Sequence, residues 1–131
     1  MTGAQFLKTT IILPVEDLYA AIAWYEQALG LDVRYVHGSG GRCESEDFAN
    51  YAIMGRDAVE VHLILDEGGA AWTRAGTGHL SLTVRDVDAV FAEVQSRGIA
   101  IVRELRQEDW PARGFCLKDP SGNEVHIEQP I

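Results

Sequence analysis

The sequence predicts an α+β protein built from two βαβββ modules that pack as one pseudo-symmetric curved sheet, with the helices on its outside. Three observations carry this. Short runs of alternating polarity recur along the chain. Two amphipathic helical stripes, each preceded by Asp and followed by Gly, are spaced about 69 residues apart. Only two copies of that period fit, and each is longer than a solenoid unit. The expected organisation is a single domain over 1–131, with module 1 at about 6–66 and module 2 at about 77–131.

In chain order, residues 6–13 read as a strand ended by Pro14. Asp17 is placed to cap a helix. Leu18, Ala21, Ile22, Tyr25, Ala28 and Leu29 then form one apolar stripe, and Gly30 supplies the stop. Residues 31–37 alternate as a strand, and Gly38–Gly41 forms a loop tip. Residues 48–54 and 58–65 read as a hairpin over Gly55-Arg56-Asp57. Residues 66–76 form a polar connection that contains Trp72.

The pattern then restarts, with Val84-Arg85-Asp86 answering Val15-Glu16-Asp17. Residues 79–84 read as a strand. A helix over 87–97 turns Val87, Val90, Phe91 and Val94 inward, and Gly98 answers Gly30. Residues 99–104, 114–118 and 123–129 supply the last strands. Asp119-Pro120-Ser121-Gly122 before the final one is a turn, since Pro presets φ and Gly permits the reversal.

At 131 residues the chain is long enough for a real core, and 47% hydrophobic with 24% charged residues is ordinary for a globular protein. A net charge of −9 argues against nucleic acid and anionic membranes and favours neutral or cationic partners. No run is long and apolar enough to span a bilayer, and Met1–Gln5 lacks the apolar stretch of a signal peptide, so a cytoplasmic protein is expected. Cys43 and Cys116 are not spaced as a zinc site or redox pair, and each reads as a buried, reduced thiol. No Ser-His-Asp or Cys-based nucleophile set is suggested by spacing, and no Gly-rich phosphate loop opens a helix.

Strand parity supplies the functional reading. Glu60 and His62 oppose Val59, Val61, Leu63 and Leu65. His79, Ser81 and Thr83 oppose Leu80, Leu82 and Val84. Glu124, His126 and Glu128 oppose Val125 and Ile127. With the apolar sides covered by helices, the polar sides line a common hollow.

Several stretches also carry a resemblance: Val15-Glu16-Asp17-Leu18 with Ala23-Trp24-Tyr25-Glu26-Gln27-Ala28-Leu29-Gly30-Leu31, Val84-Arg85-Asp86-Val87, and Asp119-Pro120-Ser121-Gly122-Asn123. Together they resemble the vicinal oxygen chelate superfamily of glyoxalases, extradiol dioxygenases, and fosfomycin- and bleomycin-resistance proteins, over nearly the whole chain. The resemblance implies paired βαβββ modules in a homodimer whose clefts involve both chains.

Metal enzymes of that superfamily place ligands at four strand positions, which fall here on Thr10, Glu60, His79 and His126. Three are competent ligands and Thr10 is not, so no metal cofactor is expected. The alternative is one divalent ion (Fe, Mn, Ni or Zn) on Glu60, His79 and His126, serving a lyase, isomerase or dioxygenase.

Glu60-Val61-His62-Leu63, Phe48-Ala49, the stretch from Trp110 to Phe115 and Asn123-Glu124-Val125-His126 resemble the bleomycin-resistance branch. Gly114 stands where that branch commonly carries Glu. The branch implies a non-catalytic antibiotic-resistance protein that sequesters a DNA-damaging aromatic natural product of the bleomycin, mitomycin or enediyne kind. The ligand contacts expected are Tyr35, His37, Phe48, Tyr51, Glu60, His62, Trp72, His79, Trp110, Phe115 and His126. Aromatic faces suit stacking on flat ligands. Arg113 is expected to pair with Asp109 or Glu108, and Trp24 to face outward or a second subunit.

Overall fold

The computed structural model describes residues 3–37, 49–68 and 74–131. The element order is β1 (Ile11–Val15), α1 (Leu18–Leu29), β2 (Asp32–His37), β3 (Tyr51–Arg56), β4 (Val59–Leu65), β5 (His79–Thr83), α2 (Val87–Ser96), β6 (Arg103–Gln107), β7 (Ala112–Lys118) and β8 (Glu124–Pro130). This is the βαβββ unit twice over. It forms two four-stranded sheets, ordered β1-β4-β3-β2 and β5-β8-β7-β6, rather than one continuous sheet. Each pairs its first strand parallel to its last and keeps the other pairs antiparallel. A parallel pair needs a crossover, and the helix of each module supplies it.

Both helices start as their sequence signals require. Asp17 accepts a hydrogen bond from the Ala20 amide at 3.0 Å, and Asp86 from the Ala89 amide at 3.1 Å. Gly30 ends α1 at φ 65°, where a side chain would be strained. The apolar stripe of α1 is buried from Leu18 to Leu29 against Leu13, Val15, Met54, Val61 and Leu63. In the second module Phe91 packs edge-on to Phe115, with ring centroids 5.0 Å apart.

The turn before β8 joins the modules. The Asp119 carboxylate is buried and accepts from the Ser121 and Asn123 amides and from the Tyr25 hydroxyl of α1. Burial first, and then the Asp119 charge, push the Tyr25 pKa up, so this phenol stays a donor. Asn123 has no exposed surface. Its amide nitrogen donates to the Pro14 carbonyl at 2.7 Å and to Asp119 at 2.9 Å, and its oxygen accepts from the Gly78 amide at 2.7 Å. One side chain thus fastens β1 to the entry of β5.

Three expectations are corrected. The first strand runs over 11–15 and includes Pro14, because β1 is an edge strand where a missing amide donor is tolerated. Residues 3–10 form no strand and lie exposed, with Phe6 at 103% and Leu7 at 87%. The sixth strand begins at Arg103, not at 99. Ile99 and Ile101 pack on the core from irregular backbone, so their alternation reports burial rather than a ladder.

Candidate functional site

The strand registers define which side chains share a face. In the first sheet Ile12, His62, Ile53 and Tyr35 lie side by side across β1, β4, β3 and β2. In the second, Ser81, His126, Cys116 and Arg103 do so across β5, β8, β7 and β6. Thr83, Glu128, Gly114 and Arg106 form the adjacent row. The intervening residues, among them Leu63, Leu80, Val125 and Phe115, turn to the helices and are buried. Each sheet therefore keeps one helix-free face that carries its histidines and carboxylates.

The two faces carry related hydrogen-bond chains. In module 1, Tyr51 Oη lies 2.6 Å from His62 Nδ1, and His62 Nε2 lies 2.9 Å from Glu60 Oε1. Lys8 reaches the same Glu60 oxygen at 3.1 Å, and Arg34 reaches the other at 3.5 Å. A carboxylate only accepts, so His62 carries its hydrogen on Nε2 and its Nδ1 takes the tyrosine hydrogen. The bond from His62 foremost, then that from Lys8, hold the Glu60 pKa down to about 2. Burial, then the Glu60 charge, push the Tyr51 phenol up.

In module 2, His126 Nδ1 lies 3.2 Å from Cys116 Sγ, and its Nε2 lies 2.8 Å from Glu128 Oε1 and 3.4 Å from Glu108 Oε2. The Glu108 side chain is fully buried and is gripped by Arg103 and by Arg106 Nε at 3.1 Å. Burial alone would raise its pKa, but the two guanidiniums outweigh burial and hold it below the ordinary carboxylate range. A bulge between Arg103 and Arg106 bends β6, and both arginines reach this one carboxylate. Trp110, half exposed, leans over the His126 ring with centroids 5.9 Å apart.

Between the modules lies a hollow of about 420 Å³, lined by Lys8, Thr10, Arg34, Glu60 and Ser81 among others. A second hollow of about 440 Å³ opens on the seam between the modules, where Leu29, Val59, Leu82, Val90 and Arg56 border it. No histidine lines either hollow; Glu60, with Lys8 and Arg34 beside it, borders the first.

The structure sorts the sequence-derived site residues. Tyr35, His37, Tyr51, Glu60, His62, His79, His126 and Trp110 lie in the described part and outside the hydrophobic core cluster, although His126 is itself buried at 7% exposure. Tyr35 is 53% exposed and its hydroxyl lies 3.2 Å from His37 Nδ1. Phe48, Trp72 and Cys43 lie outside the described residues.

Phe115 is corrected: it is 0% exposed and faces α2, because it stands opposite Ile127 on the apolar parity. Arg113 pairs with Asp88 of α2 at 3.0 Å, not with its sequence neighbours. Trp24 is half-buried against the core, edge-on to Tyr25. Cys116 is partly exposed rather than buried, and its Sγ lies 3.2 Å from His126 Nδ1. Spacing could not show that contact, since Cys116 and His126 meet only through the β7–β8 register.

The candidate metal ligands do not gather within the chain. Glu60 is spent on His62, Lys8 and Arg34; His79 sits 3.4 Å from Glu124; His126 lies among Glu128, Glu108 and Cys116. Among the described residues no three His, Cys, Asp or Glu side chains form a metal-competent group. The described residues of one chain therefore do not fit a divalent ion.

Paired βαβββ modules, each with a helix-free polar face, define the class of protein. The chain belongs to the Glyoxalase/Bleomycin resistance protein/Dioxygenase superfamily, which it matches over residues 8–127. It is 28% identical over 126 residues to an uncharacterized protein of Mycobacterium bovis, covering 91% of this chain and 80% of that one. Its fold is similar to that of TnmS3, an antibiotic binding protein from Streptomyces sp. CB03234. There the TM-score is 0.72 at 22% identity, covering 98% of this chain and 100% of the other. It is also similar to a bleomycin-binding protein in complex with bleomycin, with a TM-score of 0.72 at 19% identity, covering 96% and 100%. Among the described residues no helix is long and apolar enough to cross a membrane.

Proposed function

We propose that this chain binds an aromatic, DNA-damaging natural product of the bleomycin, mitomycin or enediyne kind and sequesters it without chemistry. The observation that carries this reading is the helix-free face of each sheet. It is bordered by aromatic rings not consumed by the core, Tyr35 at 53% and Trp110 at 49% exposure. Polar anchors stand beside them: Glu60 and His62 in one module, His126 and Glu128 in the other. Apolar walls with a few placed polar groups are what a small-molecule site needs. The fold shared with an antibiotic binding protein and a bleomycin-binding protein supports the same reading.

The binding unit in this reading is a homodimer. All six residues of β2 are exposed, Val33 and Val36 among them; Phe6 and Leu7 project from the chain, and Ile12 is exposed on β1 at the other edge of the sheet. Apolar side chains presented this way are ordinarily covered by a partner. A second copy would turn an open face into a cleft and raise the buried fraction of a bound drug.

The experiment is a tryptophan-fluorescence titration with bleomycin, mitomycin C and an enediyne, followed by mass analysis of the recovered drug. Light scattering on the same sample gives the oligomeric state. The expected result is saturable quenching by one compound class, loss of part of it in Trp110→Phe, drug of unchanged mass, and twice the chain mass in solution. Consumption of the drug, or no saturable binding of any of the three, overturns the proposal.

A further inference from the structure

We propose that Cys116, His126 and Glu128 form a nucleophilic thiol site that captures soft carbon electrophiles, α,β-unsaturated carbonyl compounds in particular. Antibiotic sequestration is not among its premises. The register sets Cys116 directly opposite His126 on β7 and β8. Glu128 Oε1, 2.8 Å from Nε2, can only accept, so the ring hydrogen sits on Nε2. Nδ1 then offers its lone pair to the thiol hydrogen 3.2 Å away, the arrangement of a nucleophile, its base and an orienting carboxylate.

Three further features suit the role. Glu108 stands 3.4 Å from the same Nε2 and is kept anionic by Arg103 and Arg106, so two negative groups back the ring when it takes a proton. Gly114 makes room for the imidazole: a Cβ there would lie 3.2 Å from His126 Cε1. Cys116 is partly exposed on the helix-free face, and the Trp110 ring beside His126 gives a conjugated ligand a flat apolar wall. Module 1 repeats the layout with Tyr51, His62 and Glu60, but its phenol is a weak nucleophile whose pKa is raised further. Among the described residues, only the second module pairs its histidine with a soft nucleophile.

The step balances without a further reactant. As the Sγ–C bond forms at the β-carbon, the thiol proton passes to His126 Nδ1. The alkene electron pair moves to the carbonyl oxygen as an enolate. The imidazolium then returns the proton to the α-carbon, and nothing leaves.

The probe is N-ethylmaleimide, used at neutral pH on the full chain in a Cys43→Ser background. The addition rate is followed by intact mass, and peptide mapping locates the adduct. Cys116 is expected to add one equivalent about tenfold faster than glutathione, and His126→Gln and Glu128→Gln each to slow it at least about fivefold. Far-UV dichroism of both variants should stay that of the parent chain. A variant that unfolds is replaced by Glu128→Asp, whose shorter carboxylate draws back from His126 Nε2 and should slow the addition by a similar factor. Addition no faster than to glutathione, or an unchanged rate in both glutamine variants, overturns the proposal.

Discussion

Replacing Asn123 by alanine tests how the two modules are held together. The side chain is fully buried and makes three hydrogen bonds, to the Pro14 carbonyl, the Gly78 amide and the Asp119 carboxylate. Alanine removes all three and supplies no replacement for the groups left behind. A buried backbone donor or acceptor without a partner costs roughly 1–3 kcal/mol. Two such groups, with partial rescue by water, set the expected loss at about 3–5 kcal/mol. That is a large share of a stability of roughly 5–15 kcal/mol, and for a chain of this size it lowers Tm by roughly 10–15 °C. Urea unfolding followed by circular dichroism measures it directly. Asn123→Asp is the sharper companion, because it keeps the shape but sets a carboxylate against the Pro14 carbonyl and the Asp119 carboxylate. It should be at least as damaging as alanine. A loss below about 1 kcal/mol in either variant would refute the clamp.

Other perturbations follow the same logic. Tyr25→Phe deletes the hydroxyl donated to buried Asp119 at 2.8 Å, and a loss of about 1–3 kcal/mol in the same urea assay is expected. Gly114→Ala places a Cβ 2.7 Å from the Ile127 carbonyl and crowds His126, so a Tm decrease equivalent to about 1–3 kcal/mol should accompany slower maleimide addition at Cys116. The Glu60 pKa is depressed from an ordinary 4.5 to about 2, by His62 first and Lys8 next. Its contribution is therefore fully present above 4.5 and is lost as pH falls through about 2. Glu60→Gln should flatten the acid limb of a stability-versus-pH curve in that window, and an unaltered limb would contradict the bond to His62.

Local signals in the chain translated directly where the physics is local. Asp17 and Gly30 bound the first helix because capping and a left-handed residue act within one turn. The parity of Val61, His62 and Leu63 gave the right faces because a strand alternates whatever its partner. Phe115 lies in a strand in both the sequence and the structure, but alternation alone does not say which side of that strand meets the helix; its position opposite Ile127 turns it to the core. Arg113 failed in the same way, since its partner Asp88 lies on a helix distant in sequence.

By itself the sequence determined the paired modules, their helices, and which residues of each strand avoid the core, since periodicity and capping depend only on near neighbours. Tertiary structure alone decided what those residues do to one another. Register brought Cys116 to His126, a bulge brought two arginines to Glu108, and hydrogen bonding drew Glu60, His79 and His126 to separate partners. Such pairings turn on ångström offsets between strands far apart in the chain, and no spacing rule encodes them.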